Sequence, residues 1–434
     1  MQQNQAANHV GHEAWTSHQI LVVMLCCVIN MLDGMDVLIV SFVAPALSEE
    51  WQVDFETLGV VFSAGLAGMM VGSIVLAPLA DFVGRRPIIL AGIVLISVGT
   101  IACGIAESVT SFALYRVVVG CGIGAIIASV AALVAEYAPP TRRTTAIGIF
   151  QSGYPLGAVL TGFICIWSIP RFGWQPTLIG AGVASTILIP VLWWLLPESI
   201  GGPLKKTAEN TRGEGASQSV SEAEQAAQSA HGSWRLAKLF VDGMWRNTVL
   251  LWFATLLAYG VLYFVTSWIP KLAIEAGLNP TDALLAGTLF NLGGFFGGLM
   301  MGRFAERRRV GHLIAAFFVV SSIAMALFGG AGQYALAVAL GLAFIIGTSL
   351  QGGFTGFYSL GALLYSDQVR SSGIGWAVGI GRAGSVGGPL VGGYLLAQGL
   401  PIWIVMLCFA APLLISGWIS MIAGRNIAPP MKGR

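Results

Sequence analysis

Apolar residues gather along this chain in twelve long runs, at roughly 20–46, 57–79, 87–106, 110–135, 144–168, 176–196, 247–272, 284–302, 310–329, 335–364, 371–397 and 402–423. About 20 helical residues cross the hydrocarbon core of a bilayer, and each run is close to that length or longer. Backbone groups in hydrocarbon must satisfy their own hydrogen bonds, which makes helices the form for spans this long. The pattern predicts an all-α integral membrane protein with twelve transmembrane helices. One long polar stretch, 198–245, interrupts the series, and its middle reads "TAENTRGEGASQSVSEAEQAAQSAHGSW". Rich in Ser, Gln, Ala and Glu and without a sustained apolar period, it has the composition of a linker. It separates an N-terminal six-helix bundle, 20–197, from a C-terminal one, 246–424, with short polar tails at 1–19 and 425–434.

The two halves echo each other. "APLADFVGRRPIIL" (77–90) follows the second span and "MGRFAERRRVGHLI" (301–314) the eighth, each with an acid and then a basic cluster. "YAPPTRRTTAIGIFQSGYPLG" (137–157) answers "YSDQVRSSGIGWAVGIGRAGS" (365–385) at constant offset: Tyr137 matches Tyr365, Arg142 matches Arg370, Gly153 matches Gly381. Two pseudo-symmetric bundles related by an axis along the membrane normal characterise a large class of transporters.

Composition agrees with this reading. The 434 residues are 56% hydrophobic and 10% charged, whereas soluble domains carry about 25% charged residues. A formal net charge of +2 gives no sign of nucleic-acid binding. With the N-terminus cytoplasmic, the outer loops hold only Arg171 and Lys271, Arg116 and Arg382 lie within spans, and the other 18 of 22 basic residues face the cytoplasm. The positive-inside rule therefore places both termini in the cytoplasm. All six cysteines fall within spans, with neither a disulfide framework nor metal-ligand spacing, so no cofactor is expected. "VAPA" ends the first span, but that span is too long and too acidic for a signal peptide and reads as a retained helix.

The loop "LADFVGRRP", the fourth-span string "RVVVGCGIGA" and "LPES" after the sixth span resemble the major facilitator superfamily over the full length. Within it, "DGMD" in the first span and "RSSGIGWAVGIGRAGSVGGPLVGG" in the eleventh are similar to the aromatic acid:proton symporters. The resemblance implies import of benzoates, hydroxybenzoates, vanillate, gentisate, muconate or hydroxyphenylpropionates with a proton across a bacterial inner membrane. Ala77 and Phe82 depart from the Gly and the basic residue usual in the first loop motif, which bears on tuning of the gate.

Two acids stand in the first span, Asp33 and Asp36. A mid-span acid costs about 2.5–3.5 kcal/mol on insertion scales. Three residues apart, the pair shares one helix face, and like charges this close suit one of them to exchange protons near neutral pH. They are the expected proton-coupling site; the alternative is a packing hydrogen bond to a neighbouring span. Arg116 in the fourth span keeps its proton and needs a counter-charge, for which these aspartates are candidates; otherwise it snorkels to the interface. Arg382, mid-way along the eleventh span, has no acid of its own half at that depth. It is expected to anchor a substrate carboxylate through its planar fork. Through the repeat Arg382 corresponds to Tyr154, which would face it across the pseudo-twofold axis.

Tyr259 and Tyr263, Phe354 and Tyr358, and Trp376 form an expected aromatic lining, although single membrane aromatics more often face lipid. Trp268 reads as an interfacial-belt residue. Asn291 and Gln351, polar and deep, would bind ring hydroxyls or bridge helices. Asp81, Arg85, Arg86, Glu136 and Arg142, with Glu306 and Arg370 in the other half, look like the superfamily's ion-pair latches at the inner gate. The expected partners are thus protons, a small aromatic carboxylate and membrane lipids, with a monomer as default. Rival readings are transport of a non-aromatic organic or sugar acid, or export of drugs or metabolites. No nucleophile–base constellation speaks for an enzyme.

Overall fold

A computed structural model describes residues 15–139, 142–198, 245–305, 309–330, 334–365 and 369–425, with backbone alone at Asp81, Thr144, Arg370 and Ser371. Twelve long helices fill these segments. The first six are α1 (Ser17–Glu50), α2 (Phe55–Val71), α3 (Arg85–Gly104), α4 (Val109–Tyr137), α5 (Arg143–Phe172) and α6 (Trp174–Leu195). The second six are α7 (Trp245–Glu275), α8 (Pro280–Ala305), α9 (Val310–Phe328), α10 (Leu336–Leu364), α11 (Arg370–Ala397) and α12 (Ile402–Ala423). Eleven are long and apolar enough to cross a membrane. The exception, α11, carries nine glycines and Arg382, which dilute its hydropathy although its 28 residues are ample for a span.

Local chemistry sets the helix ends. Thr16 and Gln19 form a capping box on α1 and Ser108 and Ser111 one on α4, each satisfying first-turn N–H groups that have no intrahelical partner. Asp54 caps α2 by accepting from Thr57 N–H at 2.9 Å, and hydrogen bonds from Thr57 hold its carboxyl below the ordinary carboxylate range. Beyond Val71, α2 runs into a π turn (Gly72–Leu76) and a 3-10 turn (Ala77–Leu79).

The halves pack alike. The pairs α1–α5, α2–α4 and α3–α6 of the first bundle have counterparts α7–α11, α8–α10 and α9–α12 in the second. Close approach at glycine draws α1 and α5 together: a Cβ at Gly34 would stand 2.1 Å from the Tyr154 carbonyl oxygen. At the corresponding seam a Cβ at Gly384 of α11 would stand 2.1 Å from the Leu256 carbonyl of α7. Gaps this narrow between helices are where small residues are selected.

Between the halves, α2 meets α11 and α5 meets α8, with α1 against α7. Among the described residues three hydrogen bonds join them, all at the end away from the arginine-bearing loops. Ser41 Oγ donates to the Thr266 and Ser267 carbonyls at 2.9 and 2.8 Å, and Ser63 Oγ to the Val386 carbonyl at 2.7 Å. Trp268 corrects the sequence expectation. Instead of lying in an interfacial belt it is fully buried in this seam, edge-on to Phe62 at 5.1 Å, with its indole N–H donating to the Pro389 carbonyl. Outside the seam opens a cavity of about 610 Å³ between the halves. There Lys271 pairs with Glu275 at 3.2 Å and lies 5.6 Å from the Phe55 ring centroid.

Candidate substrate and proton-coupling site

Asp33, Asp36 and Arg116 are all buried in the structure, but the two acids look different ways. Asp36 belongs to the interior of the first bundle. Its Oδ1 accepts from Thr100 Oγ1 of α3 at 2.9 Å, while Oδ2 has no partner among the described residues. Arg116 Nη2 donates at 3.0 Å to the main-chain carbonyl of Asp36, not to its carboxylate. The guanidinium remains the charged neighbour of that carboxyl group, and its Nη1 is buried without a partner. A small cavity of about 20 Å³ adjoins Arg116, lined also by Phe62, Gly65 and Ser267 of the seam.

Asp33 faces the other way, toward the second bundle, where its charged neighbour is Arg382. Among the described residues its Oδ1 is buried without a hydrogen bond, and so is Arg382 Nη1. Four tyrosines surround this unsatisfied acid and base. Tyr154 of α5 neighbours Asp33 and Tyr263, Tyr263 lies beside both Asp33 and Arg382, and Tyr259 and Tyr358 complete the ring around the guanidinium. Tyr259 and Tyr263, one turn apart on α7, stack at 6.0 Å; Phe354 meets Tyr259 edge-on at 4.6 Å. Gly381 makes this fit possible, since a Cβ there would come 2.3 Å from the Tyr259 ring. Buried polar groups normally find partners. Here a cation, an acid and phenols converge from α1, α5, α7, α10 and α11, with Arg382 Nη1 and Asp33 Oδ1 unused among the described residues.

Three sequence candidates stand apart from this cluster. Asn291 returns its amide to the Gly287 carbonyl of its own helix at 2.9 Å. The Gln351 amide packs over Gly294, bridging α10 to α8. Trp376 is 48% exposed and stacks on Trp252 at 6.0 Å, on the same stripe of α11 as the exposed Val391 and Tyr394.

A sequence profile described as Major Facilitator Superfamily matches residues 26–389. The chain belongs to the major facilitator superfamily. It is therefore a transporter and not an enzyme, and a multi-pass protein of the inner membrane. Curated relatives include the gallate transporter of Pseudomonas putida, 30% identical over 92% of this chain and 91% of that protein. Another is the 4-hydroxybenzoate transporter PcaK of the same organism, 31% identical over 91% and 92%. The benzoate transport protein of Acinetobacter baylyi is 29% identical over 90% and 86%. Among solved structures, a bacterial homologue of the human lysosomal transporter Spinster, inward-facing and occupied, superposes with a TM-score of 0.74. It covers 95% of this chain and 98% of its own at 16% identity, a likeness of fold.

A set of charged contacts lies at the arginine-bearing end of the first bundle. Arg85 pairs with Glu136, and Arg86 donates to the Trp193 carbonyl. Glu198 of "LPES", assigned no role from the sequence, accepts from the Arg85 N–H at 3.0 Å and the Arg86 N–H at 3.3 Å, capping α3. An anion at a helix N-terminus meets both free N–H groups and the positive dipole end. The turn into α3 is Gly84 at φ +107°, a backbone region that favours glycine. Tyr137 Oη donates to the Glu198 carbonyl at 2.8 Å. Arg142 is the N-cap of α5. Glu306 lies outside the described residues, and the side chains of Asp81 and Arg370 are likewise not described.

One neighbour of Asp36 carried no sequence signal. Thr100 is a single hydroxyl in the apolar run "GIVLISVGTIAC", and nothing local distinguishes it from hydroxyls bonded to their own helix.

Proposed function

We propose that the chain is a proton-coupled symporter that imports a small aromatic carboxylate of the benzoate and hydroxybenzoate class by alternating access. The observation that carries this reading is the unsatisfied Arg382 among Tyr154, Tyr259, Tyr263, Phe354 and Tyr358, opposite Asp33 on the other bundle. A carboxylate matches the guanidinium fork, and an aromatic ring finds phenol edges and faces around it. The names of the relatives, which move gallate, 4-hydroxybenzoate and benzoate, support the same class.

The charges suggest the coupling. Arg382 has one anionic neighbour, Asp33, when the site is empty. An incoming carboxylate replaces it without an excess of buried negative charge only if Asp33 takes up a proton. Substrate and proton therefore favour each other, and the neutral loaded site is the one able to rock. Asp36, beside Arg116, passes that proton to and from Asp33. The positive-inside asymmetry orients both termini to the cytoplasm, so the sealed seam at Ser41, Ser63 and Trp268 is periplasmic and the arrangement is inward-facing. The chain works as a monomer in the lipid bilayer, with protons as the coupling ion and no cofactor. Arg85, Glu136 and Glu198 hold the inner latch of the first bundle; Glu306 and Arg370 are expected to do the same in the second.

Uptake of labelled 4-hydroxybenzoate, benzoate and a sugar acid into proteoliposomes tests this, with and without an inward proton gradient. Gradient-driven accumulation of the two benzoates alone is the expected result. Accumulation of the sugar acid instead would sink the aromatic assignment, and uptake indifferent to the gradient would sink symport.

A further inference from the structure

Threonine hydroxyls buried in this membrane domain mostly return to their own helix. Thr161, Thr255 and Thr288 each donate to the carbonyl four residues back, at 2.8, 2.7 and 2.9 Å. That bond is always within reach in a helix and satisfies the hydroxyl locally. Thr100 forgoes it. From α3, whose main packing is against α4 and α6, it reaches to α1 and donates to Asp36 Oδ1 at 2.9 Å. Both residues are completely buried.

Asp36 is otherwise left open to chemistry. Its Oδ2 has no partner among the described residues, and Arg116 is engaged with the main-chain carbonyl instead. The charged and titratable groups facing it are Arg116 from α4, Asp33 on its own helix and Cys103 from α3. Tyr154 of α5 and Tyr263 of α7 adjoin Asp33, on the side toward Arg382. A hydroxyl both donates and accepts, so it can serve a carboxylate and, by rotating, a carboxylic acid. An N–H donor in its place would suit the carboxylate alone.

Building on the symport reading, we propose that Thr100 is the positioning residue of proton coupling: from α3 it fixes Asp36 Oδ1 in both protonation states, leaving Oδ2 to take and release the proton away from the substrate cluster.

Three proteoliposome readouts on wild type, Thr100→Val and Thr100→Ser test this: gradient-driven accumulation of labelled 4-hydroxybenzoate, its exchange at equal pH on both sides, and the pH profile of uptake. Exchange returns a loaded carrier without releasing the proton, so it isolates substrate handling from coupling. Thr100→Val should accumulate about tenfold less, the scale of a lost hydrogen bond to a charged group, with exchange within about twofold of wild type and a displaced pH profile. Thr100→Ser should restore both the accumulation and the profile. Thr100→Cys, close in volume but a weak donor, should fall between and provides a second reading if Val lowers the melting temperature. Wild-type accumulation and pH profile in both Val and Cys variants would overturn the proposal. So would equal loss of exchange and accumulation, because the hydroxyl would then only support the fold. A wild-type protein that exchanges the label without accumulating it would overturn the symport reading, whatever the variants do.

Discussion

Arg116 and Arg382 are both guanidinium groups deep in a membrane domain, yet their surroundings differ in kind. Arg116 lies in the first bundle and leans on a main-chain carbonyl of α1, beside an acid whose other partner is a fixed hydroxyl. Arg382 projects among residues from both bundles, its Nη1 unsatisfied, with phenols and the equally unsatisfied Asp33 around it. A membrane tolerates a buried cation only where protein or ligand compensates it. For Arg116 the compensation is built in. For Arg382 much of it is left to whatever enters, and that difference separates a coupling group from a binding group.

The largest effect should come from Arg382. Arg382→Ala removes a charged, two-pronged partner worth roughly 3 kcal/mol or more, so affinity for 4-hydroxybenzoate should fall about 100-fold, as measured by equilibrium binding in detergent. Arg382→Lys should recover only a minor part, because an ammonium is a point charge without the planar fork. Full affinity in the Lys variant would break the comparison, since charge alone would then suffice.

Arg116→Ala should act on the other half of the cycle. Accumulation under a proton gradient should drop roughly tenfold, the scale of a lost hydrogen bond from a charged group, while binding of 4-hydroxybenzoate stays close to wild type. A binding loss as large as that of Arg382→Ala would mean that the two arginines share one site. Gly34→Ala probes the helix between them. Its Cβ would meet the Tyr154 carbonyl at 2.1 Å, so α1 must move off α5, at a cost of about 1–3 kcal/mol typical of overpacking. The melting temperature should fall, and binding should weaken as Asp33 and Tyr154 lose register.

What the sequence made legible follows from what is costly in hydrocarbon. Apolar runs of span length are hard to disguise, and the span read at 335–364 appears as Leu336–Leu364. Charges within such runs stand out for the same reason, and the structure sets Asp33 beside Arg382 and Arg116 beside Asp36. The one-turn spacing of Tyr259 and Tyr263 was equally readable as a shared face. Contacts that depend on long-range packing were not. Trp268 looks like any interfacial tryptophan until Phe62 and Pro389 are brought against it from other helices. Glu198 meets the first turn of α3 from more than a hundred residues away, and Thr100 has no local mark of its bond to Asp36. The sequence could pair Arg116 with an aspartate but could not choose between carboxylate and main-chain carbonyl, a matter of about one side-chain rotation.

The smallest expected effect concerns the seam, whose Ser63–Val386 bond lies one turn beyond Arg382 on α11. The small cavity beside Arg116 is walled by Ser267, whose carbonyl accepts from Ser41. Opening the seam would therefore disturb the surroundings of Arg116. Ser41→Ala and Ser63→Ala remove the hydroxyls that join the halves there, each worth about 1 kcal/mol, or roughly fivefold in the balance between sealed and open forms. Spin labels at Glu56 and Asn279, both exposed at the mouth of the two bundles on that side, should then report a larger population at long distance. Binding of 4-hydroxybenzoate should move by no more than that same factor. If the distance distribution stays at wild type in the double variant, Trp268 and the glycine contacts hold the seam by themselves, and Arg116 must sense the gate through the helix backbone instead.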